Sequence, residues 1–151
     1  MLASLTVWLA WWLWPNEERV ILSRLSDLAG KVSVRAGESP LARVARASKT
    51  VEFFTPDVTM AIEGLDLAVN DRNDLREALL GMRGNVREAQ VQFTEIHPTL
   101  EPGKLSSVVF LTALANLDGQ TNTFARELKM TLKKIDRTWL ITRVESVALG
   151  Q

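Results

Sequence analysis

A chain of 151 residues holds one domain with a single apolar core and a short extension, and no second domain is needed. Lysine plus arginine and aspartate plus glutamate both number 18, so the formal net charge is zero and no overall field draws nucleic acid to the surface. Cysteine and tyrosine are absent and histidine occurs once, which excludes disulfides, thiolate metal sites and cysteine nucleophiles and leaves little for acid–base chemistry.

Met1 to Trp14 carries no charged side chain and holds Trp8, Trp11, Trp12 and Trp14, all but one of the 5 tryptophans. As a helix it is about 21 Å long against ~30 Å of hydrocarbon, so it spans a bilayer marginally or lies in the interface, the region tryptophan prefers. Residues 1–15 are therefore expected to form a short hydrophobic anchor in membrane lipid, with Trp8, Trp11 and Trp12 on one helical face. Residues 16–151 are the folded domain. Two rival readings stand beside the anchor. One is a cleaved secretory signal, although no basic residue precedes the apolar run and no small-x-small site follows it. The other is a helix docked in a protein groove. Glu17, Glu18 and Arg19 form no basic cluster at the flank, so the domain is expected on the periplasmic or exterior side.

Asn16 can cap a helix with Glu17 and Glu18 in its first turn, where the helix dipole favours carboxylates. Ile21, Leu25, Leu28 and Val32 give it an apolar face, and it ends near Gly30 or just beyond. Ser39-Pro40 starts a second helix, with proline at a position whose missing N–H does no harm. Leu41, Val44, Val51 and Phe54 make its apolar stripe. Arg43, Arg46 and Lys49 line another side, to be read either as contacts for anionic lipid headgroups or as a solvated face. Pro56 stops this helix. Val58, Met60 and Ile62 then alternate as a first strand, and Gly64 turns into a short partner holding Leu65, Leu67 and Val69. Asp74 and Glu77 form a capping box for a third helix with Leu75, Ala78, Leu79 and Met82 on one face and Gly84 as terminator.

A strand runs from Glu88 to about His97, ended by Pro98, and Glu101-Pro102-Gly103 turns the chain. Two long alternating stretches joined by Asp118-Gly119 follow, and a third begins at Trp139 after Asp136-Arg137. Phe124, Arg126, Leu128, Met130 and Leu132 fall on one side of their strand, with Glu127, Lys129, Thr131 and Lys133 on the other. That is the period-two pattern of a half-buried antiparallel strand. The fold class is α+β.

The order of helix, helix, short hairpin, helix and four long antiparallel strands resembles the nuclear transport factor 2-like superfamily, also called SnoaL-like or ketosteroid-isomerase-like. The resemblance covers Glu17 to Leu149. It rests mostly on the strand Glu127-Leu128-Lys129-Met130-Thr131-Leu132-Lys133-Lys134-Ile135, the turn Asp136-Arg137, and Trp139-Leu140-Ile141-Thr142-Arg143-Val144-Glu145, similar to the family's turn, tryptophan and aliphatic strand. Ala36-Gly37-Glu38-Ser39-Pro40-Leu41-Ala42-Arg43 is similar to membrane-anchored bacterial members. What this implies is a curved antiparallel sheet forming a cone around three helices, with a pocket between the concave face and the helical lid.

Polar residues at inward positions are then the candidates for chemistry. Ala89, Val91, Phe93, Glu95 and His97 share one side of their strand, so Glu95 and His97 could supply a carboxylate and an imidazole for acid–base work; a surface or packing histidine is the plainer alternative. Arg126 lies on the apolar side of its strand and needs a partner, water or an anionic ligand. Trp139, Ile141, Arg143 and Glu145 have common parity, so Arg143 or Glu145 could answer it; edge or snorkelling side chains are the alternative. Thr112 and Asn116 are further polar positions, on the side of Val108, Phe110 and Leu114. The resemblance itself sets limits, because ketosteroid-isomerase-like chemistry uses a tyrosine and this chain has none, and related dehydratases pair histidine with aspartate. No metal site, cofactor motif, glycine-rich phosphate loop or G-x-S-x-G arrangement is present in the sequence.

The expected function is a membrane-anchored, non-catalytic binding or accessory domain for a membrane protein complex. The alternative is a small-molecule-binding protein or a SnoaL-like enzyme with a pocket inside the cone. A homodimer is expected through the open face of the sheet, since Val109, Leu111, Ala113, Ala115 and Leu117 oppose Phe110 on a strand that is apolar on both sides.

Overall fold

The computed structural model describes residues 17–62, 69–85, 88–103, 105–117 and 124–147. The expected anchor with its four tryptophans, the Asn16 cap, and Gly64, Leu65 and Leu67 of the first hairpin lie outside them. Helix α1 (Glu17–Val32) and helix α2 (Pro40–Val51) lead into strand β1 (Phe54–Ala61) and helix α3 (Arg72–Asn85). Four strands follow: β2 (Ala89–Leu100), β3 (Ser106–Leu117), β4 (Phe124–Ile135) and β5 (Thr138–Ser146). They build one five-stranded sheet in the order β1-β5-β4-β3-β2. The four late strands pair antiparallel, as expected, while β1 adds to β5 in parallel. The architecture is the α+β arrangement of three helices against a curved sheet. Among the described residues no helix is long and apolar enough to cross a membrane.

The helices bury one face of the sheet. Ile21, Leu25 and Leu28 of α1 pack with Val109, Leu111, Leu128, Met130, Leu132, Trp139, Ile141 and Val144, all at most 8 % exposed. Each such side chain taken from water contributes roughly 1.5–3 kcal/mol, so this layer supplies most of the drive to fold. Ser39 caps α2 as its sequence suggests, accepting from the Ala42 N–H at 3.2 Å with Pro40 in the first turn. Glu101-Pro102-Gly103 turns between β2 and β3, and Gly103 supplies the positive φ of 90° that a side chain would resist.

Three local expectations need correction. Helix α2 buries Ala47, Thr50 and Val51, whereas Leu41 is 81 % and Val44 41 % exposed. Thr50 Oγ1 donates to the Arg46 carbonyl within α2 at 2.7 Å and meets the Lys31 carbonyl of α1 at 3.4 Å, so this face packs on α1. Phe54 and Pro56 belong to β1 and not to α2; Pro56 is tolerated because β1 is an edge strand. The cap of α3 sits three residues earlier than expected. Asp71 accepts from the Asp74 N–H at 2.7 Å, and Asp74 reaches back to the Asn70 N–H at 3.2 Å. Of the short first hairpin, the described part is one antiparallel bridge between Met60 and Val69.

A polar clamp holds the start of α1 on the far end of the sheet. Glu17 takes Lys134 Nζ at 2.7 Å on one carboxylate oxygen and the Trp139 indole N–H at 2.8 Å on the other. Further along α1, Arg24 donates to the Trp139 carbonyl at 3.1 Å and lies 4.0 Å over the Phe53 ring. Burial pushes the Arg24 guanidinium below its usual range, while Asp27 and Glu52 pull it back up. Trp139 is thus gripped by α1 at both its ring and its backbone. Trp139→Phe keeps most of the packing and removes the indole donor to the carboxylate. It should cost about 1.5–3 kcal/mol, read from the urea midpoint at unchanged slope.

Candidate functional site

Two irregularities in the sheet decide where the polar side chains go. On β2, Thr94 pairs with Thr112 and His97 with Phe110, so Glu95 and Ile96 together oppose a single residue of β3. This is a bulge, with Glu95 in the left-handed region at φ 51°. Phe93 and Ile96 both pack against the core, and His97 comes out on the opposite face. On β5, Arg143 pairs with Thr131 and Ile141 with Leu132, leaving Thr142 as the extra residue. Ile141 and Val144 are both buried although three apart, and Arg143 and Glu145 are turned away from them. One inserted residue reverses every later side chain of a strand.

The site residues read from the sequence therefore divide differently. Arg126 shares the face of Leu128, Met130 and Leu132 but is exposed, paired in register with Ala113. Glu145 and Arg143 lie on the other face, in register with Lys129 and Thr131, and form an ion pair with each other. The expected meeting of Arg126 with Glu145 or Arg143 is excluded by the Thr142 bulge. Thr112 and Asn116 alternate with the buried Val109 and Leu111 and so face away from the helices, not into the cone. Glu95 and His97 are exposed rather than inward.

Glu95, His97 and Thr112 are nevertheless brought together. They line a cleft of about 150 Å³ with Phe110, Leu111, Glu127, Leu128 and Val147. The Thr112 hydroxyl donates to Glu95 at 3.4 Å. Lys129 stands beside Phe110 in register, with Glu145 beyond it. A pair of carboxylates, an imidazole and a hydroxyl can bind a small polar group here. As an acid–base pair they would work in open water, without the dry surroundings that tune catalytic groups. Among the described residues no group of three acidic, histidine or cysteine side chains could hold a metal ion.

Arg46 of the basic row is structural in part. It donates to the Ser33 carbonyl at 2.9 Å and to the Gly30 carbonyl at 3.3 Å, and lies 3.6 Å from Glu38, closing the last turn of α1. Arg43 is half-buried and Lys49 exposed. A second cleft of about 350 Å³ was not foreseen. Val51, Pro56, Asp71, Arg72, Asn73 and Arg76 line it, and Arg72 donates to the Phe54 carbonyl. Its signal in the sequence was Asp71 three residues ahead of Asp74, the true cap of α3.

With this geometry in hand, the solved structures that resemble the chain can be placed. A candidate scytalone dehydratase from Novosphingobium aromaticivorans superposes with a TM-score of 0.66 at 14% identity, covering 87% of this chain and 85% of its own. A nuclear transport factor 2-like protein with a cystatin-like fold from the same organism gives 0.63 at 13%, covering 85% and 81%. The chain has the nuclear transport factor 2-like, cystatin-like fold. A protein of unknown function with that fold from Nostoc punctiforme gives 0.66 at 9%, covering 85% and 88%. At the level of sequence, no family model and no curated protein matches the chain. Identities this low carry the fold and not the chemistry.

Because Arg126 and Glu145 stand on opposite faces, their effects should be independent. In a cycle of Arg126→Ala, Glu145→Ala and the double variant, the stability changes should add to within about 0.5 kcal/mol. A coupling well above that in urea unfolding would show that the two side chains do meet.

Proposed function

We propose that the chain is a membrane-anchored, non-catalytic binding domain that serves a membrane protein complex as an accessory subunit or interaction module. The observation that carries this reading is the junction at Glu17. The uncharged, tryptophan-rich run ends at Trp14, and within three residues the chain is locked to the β4–β5 hairpin through Lys134 and Trp139. A segment that is costly to leave in water is thus followed within three residues by a domain that buries its own core. The filled helix-facing side of the sheet, and the exposure of Glu95, His97 and Arg126, support binding over catalysis. The open face, with Phe110 44 % exposed beside Val108 and Leu114, is the surface we assign to a second copy or to the partner protein.

A small-molecule-binding role is the alternative, favoured by the cleft that joins Glu95, His97 and Thr112 and by the dehydratase name carried by one structural neighbour. Anchor and domain separate experimentally. The chain lacking Met1–Trp14 should be soluble, monodisperse and cooperatively folded, whereas the full chain should float with phospholipid vesicles. Aggregation or loss of cooperative unfolding in the shortened chain would sink the independent-domain reading in favour of a buried N-terminal helix. Native purification in mild detergent, followed by mass spectrometry, should find a stoichiometric protein partner; recovery alone with a bound small molecule would establish the alternative.

A further inference from the structure

The clamp at Glu17 also says which end of the domain meets the lipid. Three backbone steps separate Trp14 from Glu17, so their Cα atoms lie within roughly 11 Å of each other whatever the conformation between them. Glu17 is held by Lys134 and Trp139, the residues that flank the tight turn at Asp136 and Arg137. The loop before β3 reaches the same place, where the Lys134 N–H donates to the Leu105 carbonyl at 2.8 Å. Three large apolar side chains stand exposed at this end: Val20 one turn along α1 at 42 %, Leu105 at 65 % and Ile135 at 42 %. Arg19, Lys133 and Arg137 are exposed among them, with the acidic Glu18 and Asp136 between.

Resting on the anchored reading above, we propose that this end of the domain, the β4–β5 turn with Leu105, Ile135 and Val20, lies against an anionic phospholipid surface. Apolar side chains enter the headgroup layer and Arg19, Lys133 and Arg137 pair with lipid phosphates. Exposed apolar points with basic side chains in excess of acidic ones around them suit an interfacial surface. The short junction puts the last residue of the tryptophan run, Trp14, within roughly 11 Å of this end. The basic row of α2 is thereby set aside as the main lipid contact. Arg46 is bound to carbonyls at the last turn of α1, about 20 Å of helix away from Glu17.

The absence of native cysteine makes the test direct. Full-length chains carrying Ile135→Cys or Leu41→Cys are labelled with an environment-sensitive fluorophore. They are then bound to vesicles of phosphatidylcholine and phosphatidylglycerol containing a lipid with a nitroxide near the headgroup. The label at 135 should be quenched and blue-shifted and the label at 41 should stay aqueous. Lys133→Gln and Arg137→Gln should each reduce the preference for anionic over neutral vesicles roughly fivefold. A chain that floats with the vesicles while the label at 135 stays aqueous overturns this orientation and leaves the anchor standing. A chain that does not float at all overturns both.

Discussion

One carboxylate holds the two ends of the domain together. Glu17 joins the first turn of α1 to residues 117 and 122 positions further along the chain. Its two oxygens are divided between a cation and an indole donor, so a half-buried charge has matched partners that offset the cost of its desolvation. Arg24 repeats the grip two turns later on the Trp139 backbone. The hairpin that closes the sheet is therefore fastened to the helix that opens the fold, and the helical layer is set against the strands at a fixed angle. Ile21, Leu25 and Leu28 can then enter the same buried layer as Leu132, Ile141 and Trp139.

The legible part of the fold was what depends on near neighbours. The Ser39-Pro40 start, the Asp136-Arg137 hairpin and the alternation of β4 each follow from local chemistry, and each is found in place. Asp136 and Arg137 both adopt positive φ, the twist that two-residue hairpins need. The faces of β2 and β5 were read correctly only as far as Glu95 and Thr142. Beyond those points a strict period of two assigns His97, Arg143 and Glu145 to the wrong side. The clue was present in the apolar spacing, since Phe93 to Ile96 and Ile141 to Val144 are steps of three, which no regular strand can bury on one face. Charged residues that break the alternation on these two strands mark a shift of register and not a pocket.

Helix α2 failed for a different reason. Large apolar residues suggest an inward face, but burial is decided by what lies opposite, and the face that meets the rest of the domain is that of Ala47, Thr50 and Val51. Leu41 and Val44 are left on the outside. Propensity and hydrophobicity both identified the helix; neither could say how near its neighbour would come. The same limit applies to β1, whose parallel pairing with β5 joins segments from opposite ends of the domain, with nothing local to announce it.

Both borders of the sheet are interrupted. At the β2 border Val34 bridges Ala89, Pro98 has no N–H to offer and Glu95 bends the strand; at the β1 border Val69 bridges Met60 and Pro56 removes another donor. Among the described residues, neither border presents a long, unbroken row of free peptide groups to a neighbouring molecule. Open strands recruit one another into ribbons wherever copies meet at high local concentration. Where copies of this domain do come close, such interrupted borders leave contact to the side chains.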